Sequence, residues 1–178
     1  MSSRNLQTET AMKLKTGKFV LSLAALVLTA GIAWAVNAHF ISVTASIEQN
    51  GDLNVKFKEA GLGTNQNINY LAEADATVTC QCVTHSGKCP SAANKETSTS
   101  HVAQPATFNS GKNGNVTAQI TLEVPACPAS ASPTCGNGQT LVPSAVTWEN
   151  IQLTDLTTPV GPEPAVPSSI SATFFTCP

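Results

Sequence analysis

The sequence predicts an all-β fold: an antiparallel β-sandwich of immunoglobulin-like type, with seven to eight strands, stapled by disulfides. Three observations lead there. Apolar and polar residues alternate in short runs, the pattern of half-buried strands. Turn residues punctuate those runs, with 11 glycines and 11 prolines in the chain. Six cysteines, an even number, all follow an N-terminal segment of export type, and export makes disulfides permissible.

The export segment comes first. Lys13, Lys15 and Lys18 form a basic region, and Phe19 to Ala33 is uncharged and largely apolar. Two small-x-small cleavage sites follow, Ala33-Trp34-Ala35 and Val36-Asn37-Ala38. Residues 1–38 are therefore read as a signal peptide, with Met12 as an alternative start, and residues 39–178 as a single β-sandwich domain. An uncleaved anchor is the competing reading, because Phe19 to Val36 approaches the roughly 18–20 apolar residues that span a bilayer. No cysteine stands at the cleavage region to take a lipid. The expected location is secreted or periplasmic.

Residues 39–178 carry five lysines, no arginine and ten acids, a formal charge of −5. Such a surface argues against nucleic acid and against anionic lipid. The expected partner is an extracellular or periplasmic one, and the membrane enters only through the signal segment if it stays uncleaved.

Each element has its own signal. Ile41, Val43, Ala45 and Ile47 alternate with Ser42, Thr44, Ser46 and Glu48. Asn50-Gly51 follows, a pair that tolerates the positive φ of a tight hairpin. Leu53, Val55 and Phe57 then alternate with Asn54, Lys56 and Lys58. After a glycine-punctuated loop, a long strand should run from Ile68 to about His85. A further strand lies near His101–Phe108. Ser110-Gly111-Lys112-Asn113-Gly114 is a second turn, placed at another hairpin tip. Val116, Ala118, Ile120, Leu122 and Val124 give the cleanest alternation in the chain. Pro125 to Thr140 reads as loop. Val146–Leu153 reads as a strand with a bulge near Asn150, where the alternation slips. Thr157–Pro167 is a proline-rich connection, and Ile170, Ala172 and Phe174 form the last strand.

The cysteines are Cys80, Cys82, Cys89, Cys127, Cys135 and Cys177. Cys80 and Cys82 share a strand face, which makes them poor partners for each other. Local closure favours Cys82–Cys89 and Cys127–Cys135, leaving Cys80–Cys177. A zinc site from Cys80, Cys82, His85 and Cys89 is disfavoured, because C-x-C is tighter than the usual spacing and exported thiols oxidise.

No catalytic pattern of the G-x-S-x-G, H-E-x-x-H or P-loop kind occurs, so the chain is expected not to be an enzyme, and no cofactor is expected. The rival reading is a copper protein. If cleavage follows Ala38, the new N-terminal amine and the ring of His39 could chelate copper, with His85 or His101 as a further ligand. Glu73 and Asp75 share a strand face but read as a solvated edge. Asn115-Val116-Thr117 matches a glycosylation sequon at a turn. Few aromatics remain for a sugar-stacking platform, since Phe57 and Trp148 read as core.

Four motifs, Lys58-Glu59-Ala60-Gly61-Leu62-Gly63, Ala92-Ala93-Asn94-Lys95, Ser110-Gly111-Lys112-Asn113-Gly114 and Cys135 with Gly138-Gln139, resemble those of a group of small exported bacterial proteins of unknown activity. They cover most of residues 39–178 in order. The resemblance implies a single all-β secreted domain. It also implies pairing of Cys82 with Cys135, at odds with the local scheme, and it supplies no catalytic residue or ligand. The other four cysteines depart from the group's pattern.

Overall fold

A computed structural model describes residues 37–90, 95–128 and 135–177. The export segment, Met12, the first cleavage site and the Ala92-Ala93-Asn94 motif lie outside the described residues. Eight strands are described: β1 (His39–Ile47), β2 (Leu53–Ala60), β3 (Asn67–Thr84), β4 (Lys95–Asn109), β5 (Val116–Leu122), β6 (Gln139–Asp155), β7 (Val160–Pro164) and β8 (Ile170–Thr173). They form two antiparallel sheets, one ordered β1-β2-β5 and the other β4-β3-β6-β7, with β8 also pairing β6. The described residues include no helix.

The alternation seen in the sequence becomes the core. Leu53, Val55 and Phe57 of β2 face Ile68, Tyr70, Ala72 and Val78 of β3, and Trp148, Ile151 and Leu153 of β6. Alanines at positions 72, 74 and 76 give β3 a thin inner face, which leaves room for the bulky Trp148 and Tyr70 beside them. At one end, Phe40, Phe57, Tyr70 and Phe108 make an aromatic cluster with ring centroids 4.6–6.4 Å apart. Such tilted and edge-on contacts suit the ring quadrupoles.

One strand face departs from expectation. A bulge between Phe40 and Ser42 shifts the register of β1 against β2. Phe40 packs on the core instead of Ile41, which is 53% exposed. The aromatic ring joins three others, a larger gain than the isoleucine would make at the strand's start.

The first glycine turn is a hairpin tip. Ile47 pairs with Leu53, Glu48 N–H donates to Asp52 O at 2.8 Å, and Gly51 takes φ +96°. Phe174 packs under Gly51, 2.5 Å from where a Cβ would sit, and the indole N–H of Trp148 donates to Gly51 O at 3.1 Å. Gly51→Val thus meets both a left-handed backbone and an aromatic ring. We expect it to cost roughly 2–4 kcal/mol, well above Ala45→Val in the neighbouring strand. Urea midpoints of the two variants would check this, and parent-like stability of Gly51→Val would refute the hairpin.

The second turn differs from expectation. Residues 111–114 join β4 of one sheet to β5 of the other, so they form an arch between sheets and not a hairpin tip. The arch is laced to the loop after β2: Leu62 N–H donates to Gly114 O at 2.9 Å, and Asn65 N–H to Gly111 O at 2.7 Å. Gly114 lies against the backbone of Gly63, and a side chain there would force the two loops apart.

Strand lengths also exceed the expected ones. β4 begins at Lys95 and β6 at Gln139, and β7 occupies the expected proline-rich connection. β3, at 18 residues, offers a partner along its whole length. The polar run Lys95–Ser100 pairs with it while burying little, so it shows no apolar alternation. The bulge at Asn150 is present: φ is +54°, and the β3–β6 register shifts opposite it. Between β7 and β8, Val166 leaves the larger sheet. It exchanges backbone hydrogen bonds with Val43 and Ala45 of β1, at 3.0 and 3.2 Å. Its neighbour Ala165 stays bonded to Ile151 of β6 at 2.9 Å.

The disulfides are Cys80–Cys127, Cys82–Cys135 and Cys89–Cys177, with Cα separations of 5.9, 5.6 and 5.5 Å. This overturns the local scheme and agrees with the pairing that the resemblance implied. The physical reason is the path of the chain. After β5 it crosses from the smaller sheet to the larger, passing the end of β3, where Cys80 and Cys82 point to one side and take Cys127 and Cys135 in turn. The turn after β3 needs no crosslink, since Thr84 N–H donates to Lys88 O at 2.9 Å and Gly87 N–H to Thr84 O at 2.8 Å. That frees Cys89 for the chain's last residues.

Candidate functional site

The outer face of the smaller sheet carries an open groove. Alternation points Ser42 and Thr44 of β1, Lys56 and Lys58 of β2, and Thr117 and Gln119 of β5 away from the core. The register aligns them in two rows across the strands: Ser42–Lys58–Thr117 and Thr44–Lys56–Gln119. These six residues, with Phe57 and Ala118, line an open groove of about 470 Å3. Two residues along a strand place the lysines roughly 7 Å apart on one face. Neither lysine is in an ion pair among the described residues. The groove therefore offers two free ammonium groups flanked by hydroxyl and amide hydrogen-bonding groups. Such a lining can hold an anion or a hydroxyl-rich ligand, and it contains no carboxylate or thiol to act as base or nucleophile.

The candidate metal ligands are not brought together. His39 opens β1, and its Nδ1 lies 2.7 Å from Asn37 O. His85 sits in the turn after β3, its backbone N–H donating to Gly138 O at 3.2 Å. His101 lies on β4 directly opposite Asp75. Ten residues of extended chain separate Asp75 from His85, about 30 Å. Among the described residues no group of three or more His, Cys, Asp or Glu side chains has metal-holding geometry, and all three cysteines of the zinc alternative are in disulfides.

His101 does acquire partners that the sequence did not reveal. Its Nδ1 lies 3.0 Å from Asp75 Oδ1 and its Nε2 3.3 Å from Glu73 Oε1. The Asn150 amide donates to the other Asp75 oxygen at 2.8 Å. The hydrogen bonds to Asp75 and then Glu73 raise the His101 pKa, and the Asn150 amide followed by His101 lowers that of Asp75. The set is a surface clasp across β4, β3 and β6 with no nucleophile in it.

A third polar group is buried. Glu59 of β2, Tyr70 of β3 and Asp155 of β6 are each fully shielded from solvent. Asp155 accepts from the backbone N–H groups of Thr157 and Thr158, at 2.7 and 3.1 Å, and from the Thr158 hydroxyl. Glu59 is less well served. The Tyr70 hydroxyl lies near enough to lower its pKa, yet no atom holds either Glu59 oxygen in normal hydrogen-bond geometry among the described residues. Desolvation dominates, the nearby Asp155 charge adds to it, and the Glu59 pKa rises to about 7. The same burial, with Glu59 alongside, pushes the Tyr70 hydroxyl far above its ordinary value. The missed signal was parity. Glu59 follows Leu53, Val55 and Phe57 at the inward spacing of two, and Asp155 follows Ile151 and Leu153 likewise.

Comparison with protein-family models and with curated proteins finds no match for this chain.

Proposed function

We propose that the chain is an exported, disulfide-stapled β-sandwich of immunoglobulin-like type that works by binding outside the cytoplasm, without catalysis of its own. The observation that carries this is the groove on the smaller sheet, where two unpaired lysines stand between rows of hydroxyl and amide groups. Three disulfides fit an oxidising compartment, periplasmic or extracellular. The strand order supports the immunoglobulin-like type: β1-β2-β5 against β4-β3-β6-β7 corresponds to that plan with its fourth strand moved to the second sheet. The Cys82–Cys135 bridge supports kinship with the exported bacterial group that the motifs resemble.

Residues 39–178 are acidic overall, but the groove lining holds Lys56 and Lys58 and no acid, so the ligand would be anionic and rich in hydrogen-bonding groups. An acidic polysaccharide has both properties and needs no aromatic platform. Polygalacturonate should bind weakly, with affinity falling as salt is added. Reversing both lysines, Lys56→Glu with Lys58→Glu, should weaken binding about 10-fold or more, on the order of 1 kcal/mol per exposed charge. His101→Ala, on the other sheet, should leave binding unchanged. Calorimetric titration would decide, and equal affinity in the parent and the double variant would refute the groove as the binding face.

A further inference from the structure

We infer that the mature chain begins at Val36, through cleavage after Ala35, and that the site after Ala38 is not the one used. The inference rests on the export reading above and moves its boundary from Ala38 to Ala35, since the sequence offers both sites. The fold separates them, because Asn37 and Ala38 belong to the sandwich. Ala38 packs against the core. The backbone of Asn37 lies directly over Gly61, where a Cβ would come within 2.6 Å of the Asn37 carbonyl carbon and 3.0 Å of Ala38 N. Gly61 takes φ +78°, so its conformation already favours glycine, and the Asn37 carbonyl fills the space that glycine leaves. The same carbonyl lies 2.7 Å from His39 Nδ1. The chain is thus seated from Asn37 onward, against the end of β2 and beside the buried Glu59.

Signal cleavage acts on the extended chain before folding, so access does not distinguish the two sites. The product does. A chain cut after Ala38 would lose an apolar residue of the core margin and the backbone that covers Gly61. A chain cut after Ala35 keeps every one of these contacts. One consequence is chemical: His39 then carries an ordinary peptide bond, and the N-terminal amine that copper chelation needs is three residues away.

The test is the intact mass of protein recovered after expression of the full 178-residue chain in an exporting bacterial host. A mass matching residues 36–178 with three disulfides is expected. A chain beginning at His39 would overturn the inference and leave the export reading standing, whereas an uncut chain would overturn both. A second variant guards against ambiguity. Ala35→Leu places a bulky residue where the cleaved bond needs a small one, and should abolish the Val36 terminus. If Ala35→Leu were processed like the parent, the inference would fail.

Discussion

Loss of the Cys89–Cys177 bridge should destabilise the protein by about 4 kcal/mol, while loss of Cys80–Cys127 alone should cost about 2.5 kcal/mol. The asymmetry comes from loop closure. A crosslink stabilises chiefly by restricting the unfolded chain, more so for longer loops. Cys80–Cys127 and Cys82–Cys135 span separations of 47 and 53 residues over nearly the same stretch. With either one intact, the unfolded chain is already closed there, and the second adds a loop of only about 10 residues. Cys89–Cys177 spans 88 residues and joins the end of the chain to its middle. With Cys82–Cys135 in place, the loop that Cys89–Cys177 closes still runs through about 50 residues, far more than the 10 or so added by Cys80–Cys127. Complete reduction removes all of these constraints, an amount comparable with the 5–15 kcal/mol typical of a whole domain, and should unfold the protein at 37 °C. Paired Cys→Ala variants and urea midpoints would measure each step. A Cys80/Cys127 pair costing as much as Cys89/Cys177 would show that local packing, and not loop closure, sets these values.

The second large effect concerns pH. In the unfolded chain Glu59 titrates near 4.5, while in the folded protein burial raises it to about 7. The folded state thus holds a proton that the unfolded state has released. Stability from this group is fully present below about pH 4.5, declines as pH rises, and is lost once pH passes about 7. The span corresponds to roughly 3 kcal/mol. The protein should therefore melt lower at pH 8.5 than at pH 5, the reverse of the acid sensitivity common among proteins with paired carboxylates. Glu59→Gln keeps the shape and removes the titration, so its melting temperature should vary much less between the two pH values. An unchanged pH dependence in Glu59→Gln would remove Glu59 as its source.

Much of the fold could be read from alternation alone, because strands with one buried face advertise it. β2, β3 and β5 show this at Leu53–Phe57, Ile68–Val78 and Val116–Leu122. β4 was legible only in part, since Lys95–Ser100 pairs along an edge with both faces near water, and period two then leaves no apolar trace. The Asn113-Gly114 turn was legible as a turn but not as an arch. Its residues fix the local backbone, whereas the choice between hairpin and crossing depends on which strands β4 and β5 find as partners. The disulfides were misread for a similar reason. Proximity in sequence favours short loops, but the route from β5 past the end of β3 is a property of the whole topology. As for the sites, the lysine pair was visible and its cross-strand rows were not. Glu59 and Asp155 announced their burial by parity, and their charge masked it.

The split edge formed by β7 and β8 has a consequence for assembly. A sheet that lengthens by recruiting copies of itself needs a usable strand at both margins. In the larger sheet, β4 presents a 15-residue margin, blunted at Pro105, which has no N–H to give. The opposite margin is broken into strands of five and four residues, with Pro162 and Pro164 in the first, and the chain between them turns its hydrogen bonds at Val166 toward β1. Recruitment through this sheet can therefore join two molecules by their β4 margins and then has nowhere to continue. Through this sheet, the described strands permit pairing and stop short of filaments.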